Sequence, residues 1–283
     1  MLRIQALNES GFEMTESGHT RSGPILSSVE DNVGTITLHR PEALNAFNLD
    51  MAQEILRTLK EFSGDAAVRA IVLRGAGKVF SAGGDIKEMV GDVRQGDDPA
   101  AYFRAPLTAF GEVVLTVRGI PKPVLAAVHG AVAGVAFNLM LACDLKIATG
   151  ATRFTQAFVK IGLSPDGGGT WFLPRLVGYA RAVELALLPT ELDAATAREW
   201  GLINWVVAEA DFAARVKGIA AQLAAGPVAA MGRAKALLNS AYDSGLADHI
   251  EAERLAQVAN AASADFAAGL TAFIERREPS FGG

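Results

Sequence analysis

The sequence predicts an α/β protein with a helical carboxyl-terminal region. Two observations support this prediction: short aliphatic runs alternate with amphipathic segments up to Gly178, and alanine-rich helical patterns follow. The chain has 283 residues, of which 50% are hydrophobic and 20% charged, so it can bury a large core. We therefore expect a core over residues 25–205, a helical region over 206–283, and a flexible amino-terminal extension over 1–24.

The first half of the core begins with a predicted β-hairpin. Two β-rich runs within residues 25–38 flank an Asp-Asn-Val-Gly turn signal. Asn48 is then placed to cap a helix whose apolar residues recur every three or four positions. The aliphatic run 68–73 predicts a buried strand that enters a glycine-rich loop, and the next helix is expected to begin near residues 84–85.

The second half of the core repeats this alternation. The polar residues 91–99 predict a surface loop, followed by a helix through Tyr102 and Val114. A core strand is expected over 121–128, a tightly packed helix over 130–143, and a further strand over 145–148. The later helical patterns cover 181–188, 194–200, 212–225, 228–242 and 246–262.

Composition and charge exclude several classes of function. With 26 Lys and Arg against 31 Asp and Glu, the net charge is −5, so the electrostatic attraction to nucleic acid is missing. The longest apolar stretch, 131–143, is interrupted by Asn138 and is shorter than the roughly 20 residues of a membrane-spanning helix. Cys143 is the single cysteine, which removes intrachain disulfides and cysteine-based metal sites. We expect a cytoplasmic protein that contains no metal and binds neither nucleic acid nor a membrane.

Three glycine-rich segments adjoin predicted strands and are candidate binding loops. They are Phe80-Ser-Ala-Gly-Gly-Asp-Ile-Lys, Gly130-Ala-Val-Ala-Gly-Val-Ala-Phe-Asn and Gly162-Leu-Ser-Pro-Asp-Gly-Gly-Gly-Thr. Each alone is also explained as a tight turn. If two of them converge, their free N–H groups can stabilise one developing oxyanion. The phosphate-loop, dinucleotide and Gly-x-Ser-x-Gly signatures are absent, which disfavours nucleotide and serine-hydrolase chemistry.

Asp166 is the most informative carboxylate, because it lies in a glycine-flanked bend just before an apolar helical segment. One interpretation is a helix N-cap, which would keep the carboxylate ionised. The other is a general base, whose pKa an apolar pocket would raise. For Asp85, also near a predicted helix start, we favour a structural role of the side chain.

Several separated motifs occur in one order along the chain. They are Arg40-Pro-Glu-Ala-Leu-Asn-Ala, Phe80-Ser-Ala-Gly-Gly-Asp-Ile, Lys122-Pro-Val-Leu-Ala-Ala-Val-His-Gly, Cys143-Asp-Leu, and Gly168-Gly-Thr followed by Pro174-Arg-Leu-Val-Gly. In order and spacing they resemble the crotonase superfamily, also called the enoyl-CoA hydratase/isomerase family. The resemblance implies a crotonase-like fold of repeated ββα units, a helical region that builds homotrimers or homohexamers, and an acyl-CoA thioester substrate. It implies no cofactor beyond the CoA that the substrate carries.

The resemblance also implies roles for individual residues. By the family pattern, the backbone N–H groups of Ala82 and Val135 form the oxyanion hole for the thioester oxygen. The positions that correspond to CoA contacts are Ala43, Leu44, Gly83, Gly84, Asp85, Ile86, Phe273 and Arg276.

The chain departs from the family pattern at the two catalytic glutamates of the hydratases. Asn138 and Phe158 stand at those positions, which argues against ordinary hydration. A double-bond shift needs only one base and an oxyanion hole, and Asp166 can supply that base. The segment from Phe158 to Arg175 is especially similar to the phenylacetate-pathway enoyl-CoA isomerases, which use an aspartate at the Asp166 position. The resemblance therefore favours an isomerase.

The acyl pocket and three alternative functions stay open at this point. Phe158 and Phe137 suggest an apolar or aromatic acyl site, and Asn138 is either a polar core residue or a substrate contact. Hydration through Glu112 or Glu88 is one alternative function, and non-catalytic acyl-CoA binding is another. Dehalogenation is more distant, because Phe158 stands where that reaction expects a tryptophan and the 99–118 segment lacks a histidine.

Overall fold

The computed structural model describes residues 23–94 and 98–282, which form a mixed α/β structure. The predicted extension over 1–24 thus lies outside the described residues, except for its last two. The strands are β1 (Ile25–Glu30), β2 (Val33–Leu38), β3 (Ala70–Gly75), β4 (Val124–Val128), β5 (Ala131–Ala133), β6 (Leu145–Thr149), β7 (Arg153–Thr155), β8 (Leu192–Asp193) and β9 (Trp205–Val207).

The helices account for most of the remaining described chain. They are α1 (Leu49–Gly64), α2 (Ile86–Arg94), α3 (Pro99–Gly119), α4 (Val135–Ala142), α5 (Gly169–Val177), α6 (Tyr179–Leu187), α7 (Ala194–Glu199), α8 (Glu209–Ala225), α9 (Val228–Ser240), α10 (Leu246–Ala261) and α11 (Ala264–Glu275). Short 3-10 helices cover Pro41–Ala43 and Phe158–Ile161.

A sheet with the strand order β1-β2-β3-β4-β6-β9 forms the centre of the fold. β1 and β2 are the predicted antiparallel hairpin, which turns at Asp31 and Asn32, both with positive φ. The other neighbours in this sheet run parallel, so helices carry the chain from one strand to the next. A second sheet, in the order β5-β7-β8, lies beside it. The alternation of strands and helices confirms the predicted α/β class.

Helix α1 shows how local sequence fixes one of these crossovers. The Asn48 side-chain oxygen accepts a hydrogen bond from the Met51 N–H at 3.1 Å, which confirms the predicted cap. The apolar residues of its buried face then pack into the main core. They are Met51, Ile55, Leu59 and Phe62.

Two predicted element boundaries are wrong. Residues 130–143 do not form one helix, because β5 pairs with β7 and Gly134, at φ 51° and ψ −124°, turns the chain before α4 begins. Residues 91–94 belong to the last turn of α2 rather than to a loop. Glycine and aspartate disfavour a helix only weakly, and the surrounding structure overrides that preference.

The carboxyl-terminal region is tied to the core rather than separate from it. The predicted boundary between 205 and 206 falls inside β9, which pairs with β6. Ile219 of α8 packs against the main sheet in a cluster with Leu125 and Ile147. The buried Lys235 of α9 donates to Asp144 at 2.8 Å and to the Val117 carbonyl at 2.7 Å. Helix α11 follows the last predicted helical pattern and was not expected.

Candidate active site

Two of the three glycine-rich loops meet and are joined by backbone hydrogen bonds. The Phe80 N–H donates to the His129 carbonyl at 2.7 Å, and the Ser81 N–H donates to the Ala131 carbonyl at 3.1 Å. In return, the Ala133 N–H donates to the Ser81 carbonyl at 3.1 Å. These bonds fix the loop after β3 against the short strand β5, so the two segments hold one relative position.

Glycine is required where these loops are closest. Gly83 has a φ of +101°, and a Cβ atom added to it would lie 3.1 Å from the Ala133 carbonyl oxygen. Gly134 has a φ of +51°, and its added Cβ would lie 3.7 Å from Cζ of Phe158. Both backbone conformations disfavour residues with a side chain, and Gly83 also lacks the space for one.

Two backbone N–H groups at this meeting point have no described hydrogen-bond partner. The N–H of Val135 is in the first position of α4, where a helix provides no acceptor. The N–H of Gly84 donates to no other residue in the described parts of the chain. The Ala82 N–H, by contrast, donates to the Leu44 carbonyl at 3.0 Å. The structure therefore corrects the expected donor pair: Val135 is free, Ala82 is occupied, and Gly84 is free in its place.

The two free N–H groups adjoin a cavity of about 260 Å³. Its wall includes Gly83, Gly84, Asp85 and Ile86 from the first loop, and Val135 from the second. The side chains around the remaining wall are mostly apolar. They include Phe47, Met89, Phe103, Leu107, Phe110 and Phe158. A narrow apolar cavity with few polar groups suits a small acyl group.

Asp166 lies on the wall of this cavity and, unlike Asp85, has no side-chain partner among the described residues. It is partly buried, and its Oδ1 atom is buried without a hydrogen-bond partner. Burial raises the pKa of the Asp166 carboxyl from its usual 3.8 to about 6. The N-cap of α5 is Gly168, and no side chain caps that helix. The cap interpretation of Asp166 is therefore wrong, because its carboxylate accepts no hydrogen bond from the first turn of α5.

Asp85 lies on the same wall with a different environment. One carboxylate oxygen accepts from the Lys87 and Glu88 N–H groups at 3.1 Å, and the other accepts from the Arg40 guanidinium at 2.8 Å. Burial alone would raise the pKa of Asp85, but the hydrogen bonds from the Glu88 backbone and from Arg40 lower it below its usual value. Its side chain has the structural role that we predicted, capping α2.

Of the three residues predicted for the acyl pocket, one lines the cavity and the other two are buried behind its wall. Phe158 lines the cavity. Phe137 is fully buried and its ring packs against Phe154 with centroids 5.6 Å apart, so it does not reach the cavity. Asn138 is also fully buried, and its amide bonds to protein groups instead of facing the cavity.

The other predicted CoA contacts do not line the cavity of their own chain. Ala43 ends the 3-10 helix over Pro41–Ala43, and Leu44 follows it with 48% of its surface exposed. Phe273 is 81% exposed on α11, and Arg276 ends that helix in a left-handed conformation.

The two glutamates considered for hydration are not on the cavity wall either. Glu88 accepts a hydrogen bond from the Asn48 side chain at 3.0 Å. Glu112 lies on α3 and is absent from the residues around the cavity.

Comparisons with known proteins identify the family of the chain. The model of the enoyl-CoA hydratase/isomerase family matches residues 28–283. A 1,2-epoxyphenylacetyl-CoA isomerase from Escherichia coli is 40% identical over 260 residues, which cover 92% of this chain and 98% of that protein. A trans-2-decenoyl-acyl-carrier-protein isomerase from Streptococcus mutans is 35% identical over 259 residues, 92% of this chain and 98% of that protein.

A crystal structure of an enoyl-CoA hydratase from Polaromonas superposes with a TM-score of 0.86 and 32% identity, covering 91% of this chain and 99% of that one. The chain belongs to the enoyl-CoA hydratase/isomerase family, and the predicted crotonase-like fold is confirmed. Because isomerases and a hydratase are both among these relatives, the reaction has to be argued from the site itself.

Two kinds of feature are absent from the described residues. No helix within 23–94 and 98–282 is long and apolar enough to cross a membrane. In the same residues, no cluster of three or more His, Cys, Asp or Glu side chains has the arrangement of a metal site.

The burial of Asp166 predicts a stability effect that depends on pH. Its pKa is about 6 in the folded chain against 3.8 when exposed, so the ionised carboxylate destabilises the fold above pH 6. Below pH 3.8, the pKa of the exposed carboxyl, Asp166 is mainly protonated in both the folded and the unfolded chain, so this destabilisation is absent. We expect Asp166→Asn to raise the free energy of unfolding by about 1–3 kcal/mol at about pH 8, and to leave it unchanged at about pH 3. Urea unfolding at one protein concentration measures both values, and an equal gain at both pH values would contradict the prediction.

Proposed function

We propose that this protein is an enoyl-CoA isomerase that shifts a double bond, or isomerises a ring epoxide, through an enolate of the thioester. The observation that carries the proposal is the combination of Asp166 and two free N–H groups on one apolar cavity. A carboxylate that has no side-chain partner and a raised pKa is suited to remove a proton and to return it.

The chemistry of a double-bond shift matches this set of groups. The thioester oxygen of a 3-enoyl-CoA would accept hydrogen bonds from the N–H groups of Gly84 and Val135, in place of the expected Ala82 and Val135. Asp166 would remove a proton from C2, and the negative charge would spread over the dienolate and be stabilised at that oxygen. The same carboxyl would then protonate C4, which leaves the double bond between C2 and C3. These steps require no cofactor, since CoA is part of the substrate.

The groups on the cavity wall support hydration less well than a double-bond shift. It needs one group to activate water and a proton delivered to the α-carbon. The second carboxylate on the described wall, Asp85, is held by Arg40 and by the start of α2. Asn138 and Phe158 occupy the positions of the two hydratase glutamates, so Asp166 would have to perform both tasks.

The CoA portion is proposed to leave the cavity along Gly84–Ile86. Ala43 and Leu44 lie near this loop, since the Leu44 carbonyl accepts from Ala82. Phe273 and Arg276 remain proposed contacts for the more distant part of CoA. A cytoplasmic location follows as part of this proposal, because the single cysteine is free and buried and no intrachain disulfide is possible.

The first test is turnover of a 3-enoyl-CoA and a 2-enoyl-CoA ester, with products identified by mass and absorbance. We expect a mass-neutral shift from the 3-enoyl to the 2-enoyl ester, and a loss of at least about 10³-fold in kcat for Asp166→Asn with CoA-ester binding retained. In the wild type, kcat/KM should fall about tenfold per pH unit below about pH 6, because the base must be ionised. Addition of water to the 2-enoyl ester would instead establish a hydratase, and binding without any turnover would establish a scaffold.

The second test removes one proposed oxyanion donor, and a control variant accounts for the change of the cavity-lining side chain. Proline is tolerated in the first position of a helix, so Val135→Pro should delete the N–H and leave α4 intact. We expect kcat to fall about 10²–10³-fold relative to the matched control Val135→Ala, which keeps the N–H. Circular dichroism and a thermal melt verify that both variants are folded. Equal rates for the two variants would exclude Val135 as a donor.

We also propose a homotrimer or homohexamer assembled through the carboxyl-terminal helices. Helices α9 to α11 expose large apolar side chains that a monomer would leave in water. Among them are Leu238 (73% exposed), Leu246 (78%), Leu255 (56%), Val258 (59%) and Ile274 (71%).

Light scattering tests this assembly. The wild type should have three or six times the monomer mass of 29.6 kDa, whereas Leu255→Glu combined with Val258→Glu should shift it toward monomers because charges are costly in an apolar interface. Lys217→Glu, on an exposed part of α8, is the control that should leave the mass unchanged. A monomeric wild type would overturn the proposal.

A further inference from the structure

Asn138 links three segments through hydrogen bonds of its side chain. It lies on α4, is fully buried, and donates from Nδ2 to the backbone carbonyl of Asp166 at 2.8 Å. Its Oδ1 accepts from Nε2 of Gln156, which follows β7 and is also buried, at 2.8 Å. The Asp166 carbonyl can only accept a hydrogen bond, so the Asn138 amide must present its NH₂ group there and its oxygen to Gln156. Both ends of the amide are therefore occupied by protein.

The position of Asn138 on α4 connects the Val135 N–H with the bend that carries Asp166. Val135, with its free N–H, begins the same helix, and Asn138 follows it by three residues, which is about one helical turn. A single rigid turn thus connects a proposed oxyanion donor with the loop that carries the proposed base. Hydrogen-bonded side chains on such a rigid element are well suited to hold a geometry that tolerates little displacement.

The surroundings leave little room for another arrangement. A Cβ atom added to Gly169 would lie 2.5 Å from Oδ1 of Asn138, so the start of α5 packs directly on this amide. On another side of the bend, Gly167 has a φ of +51° and lies against the ring of Phe110. The bend at Asp166 is therefore held by the ring of Phe110, by the Asn138 amide, and by the Gly169 N–H, which donates to the same Asp166 carbonyl at 2.9 Å.

We propose that Asn138, oriented by Gln156, is a positioning residue that fixes Asp166 relative to the Val135 N–H. It acts through Asp166 and does not touch substrate. Gln156 contributes by holding the Asn138 amide in the orientation that presents its NH₂ group to the Asp166 carbonyl. This inference rests on the proposed function, since it assigns Asp166 as the base.

Three variants test the positioning role of Asn138 and Gln156 by steady-state kinetics on the 3-enoyl-CoA ester. Asn138→Leu is similar in size and removes both hydrogen bonds, so we expect kcat to fall about 10–100-fold with KM changed less than about twofold. Gln156→Met should lower kcat about 3–10-fold. Because Gln156 acts through Asn138, the double variant should be no slower than Asn138→Leu within about twofold. Multiplied effects, or a raised KM with kcat retained, would overturn the positioning role.

A control on the same helix separates positioning from loss of stability. Leu141 is buried on α4 and lies outside the cavity, so Leu141→Ala should lower the melting temperature while kcat stays within about twofold of wild type. If Leu141→Ala lowers kcat as much as Asn138→Leu does, the effect of Asn138 is general destabilisation and the proposal fails.

Crystal structures of the wild type and of Asn138→Leu give a readout that does not depend on the reaction. We expect the Asp166 carbonyl and carboxylate to move by about 1 Å in the variant, a displacement large enough to impair a reaction. An unmoved Asp166 overturns the proposal even if activity falls. If the wild type turns over no enoyl-CoA ester, the proposed function fails, and the displacement alone then decides whether Asn138 positions Asp166.

Discussion

The backbone hydrogen bonds that join the loop after β3 to β5 are the constraint on which the site depends. The bond between the Phe80 N–H and the His129 carbonyl, at 2.7 Å, is the first of this set. They bring two chain turns into contact at Gly83 and Gly134, both with positive φ, and a Cβ atom on Gly83 would lie only 3.1 Å from the Ala133 carbonyl oxygen. Because backbone groups rather than flexible side chains define this contact, Gly84 and Val135 can present N–H groups without reorganisation.

The two carboxylates on the cavity wall show how neighbours separate chemically identical groups. The carboxylate of Asp85 accepts hydrogen bonds from the Arg40 guanidinium and from two backbone N–H groups, so protein groups stabilise its negative charge. Asp166 has a buried oxygen without a partner, and its pKa is raised by burial to about 6. A proton can therefore be exchanged at Asp166 near neutral pH, whereas Asp85 stays ionised and holds α2 in place.

Much of this organisation could be predicted from the sequence, and the failures have specific causes. Strand and helix patterns and the Asn48 cap are local, so the elements of the core were largely foreseen, as was Asp166 as a candidate base. The Ala82 assignment failed because the Leu44 carbonyl, far away along the chain, accepts the hydrogen bond from the Ala82 N–H, and spacing does not reveal that contact. Gln156 was missed altogether, since its partner Asn138 is 18 residues away and only the packing of β7 beside α4 brings them together.

The apolar side chains of the cavity and its polar groups come from different segments of the chain. Met89 belongs to α2, and Phe103 and Leu107 belong to α3, whereas the N–H groups and Asp166 come from the loops and the bend before α5. Substitutions on these two helices can therefore reshape the apolar part of the cavity and leave Asp166 and the two N–H groups, the proposed reacting groups, where they are. In evolutionary terms, such a division lets relatives with one chemistry diverge in substrate range, and it marks α2 and α3 as the segments to diversify when the enzyme is engineered for new acyl groups.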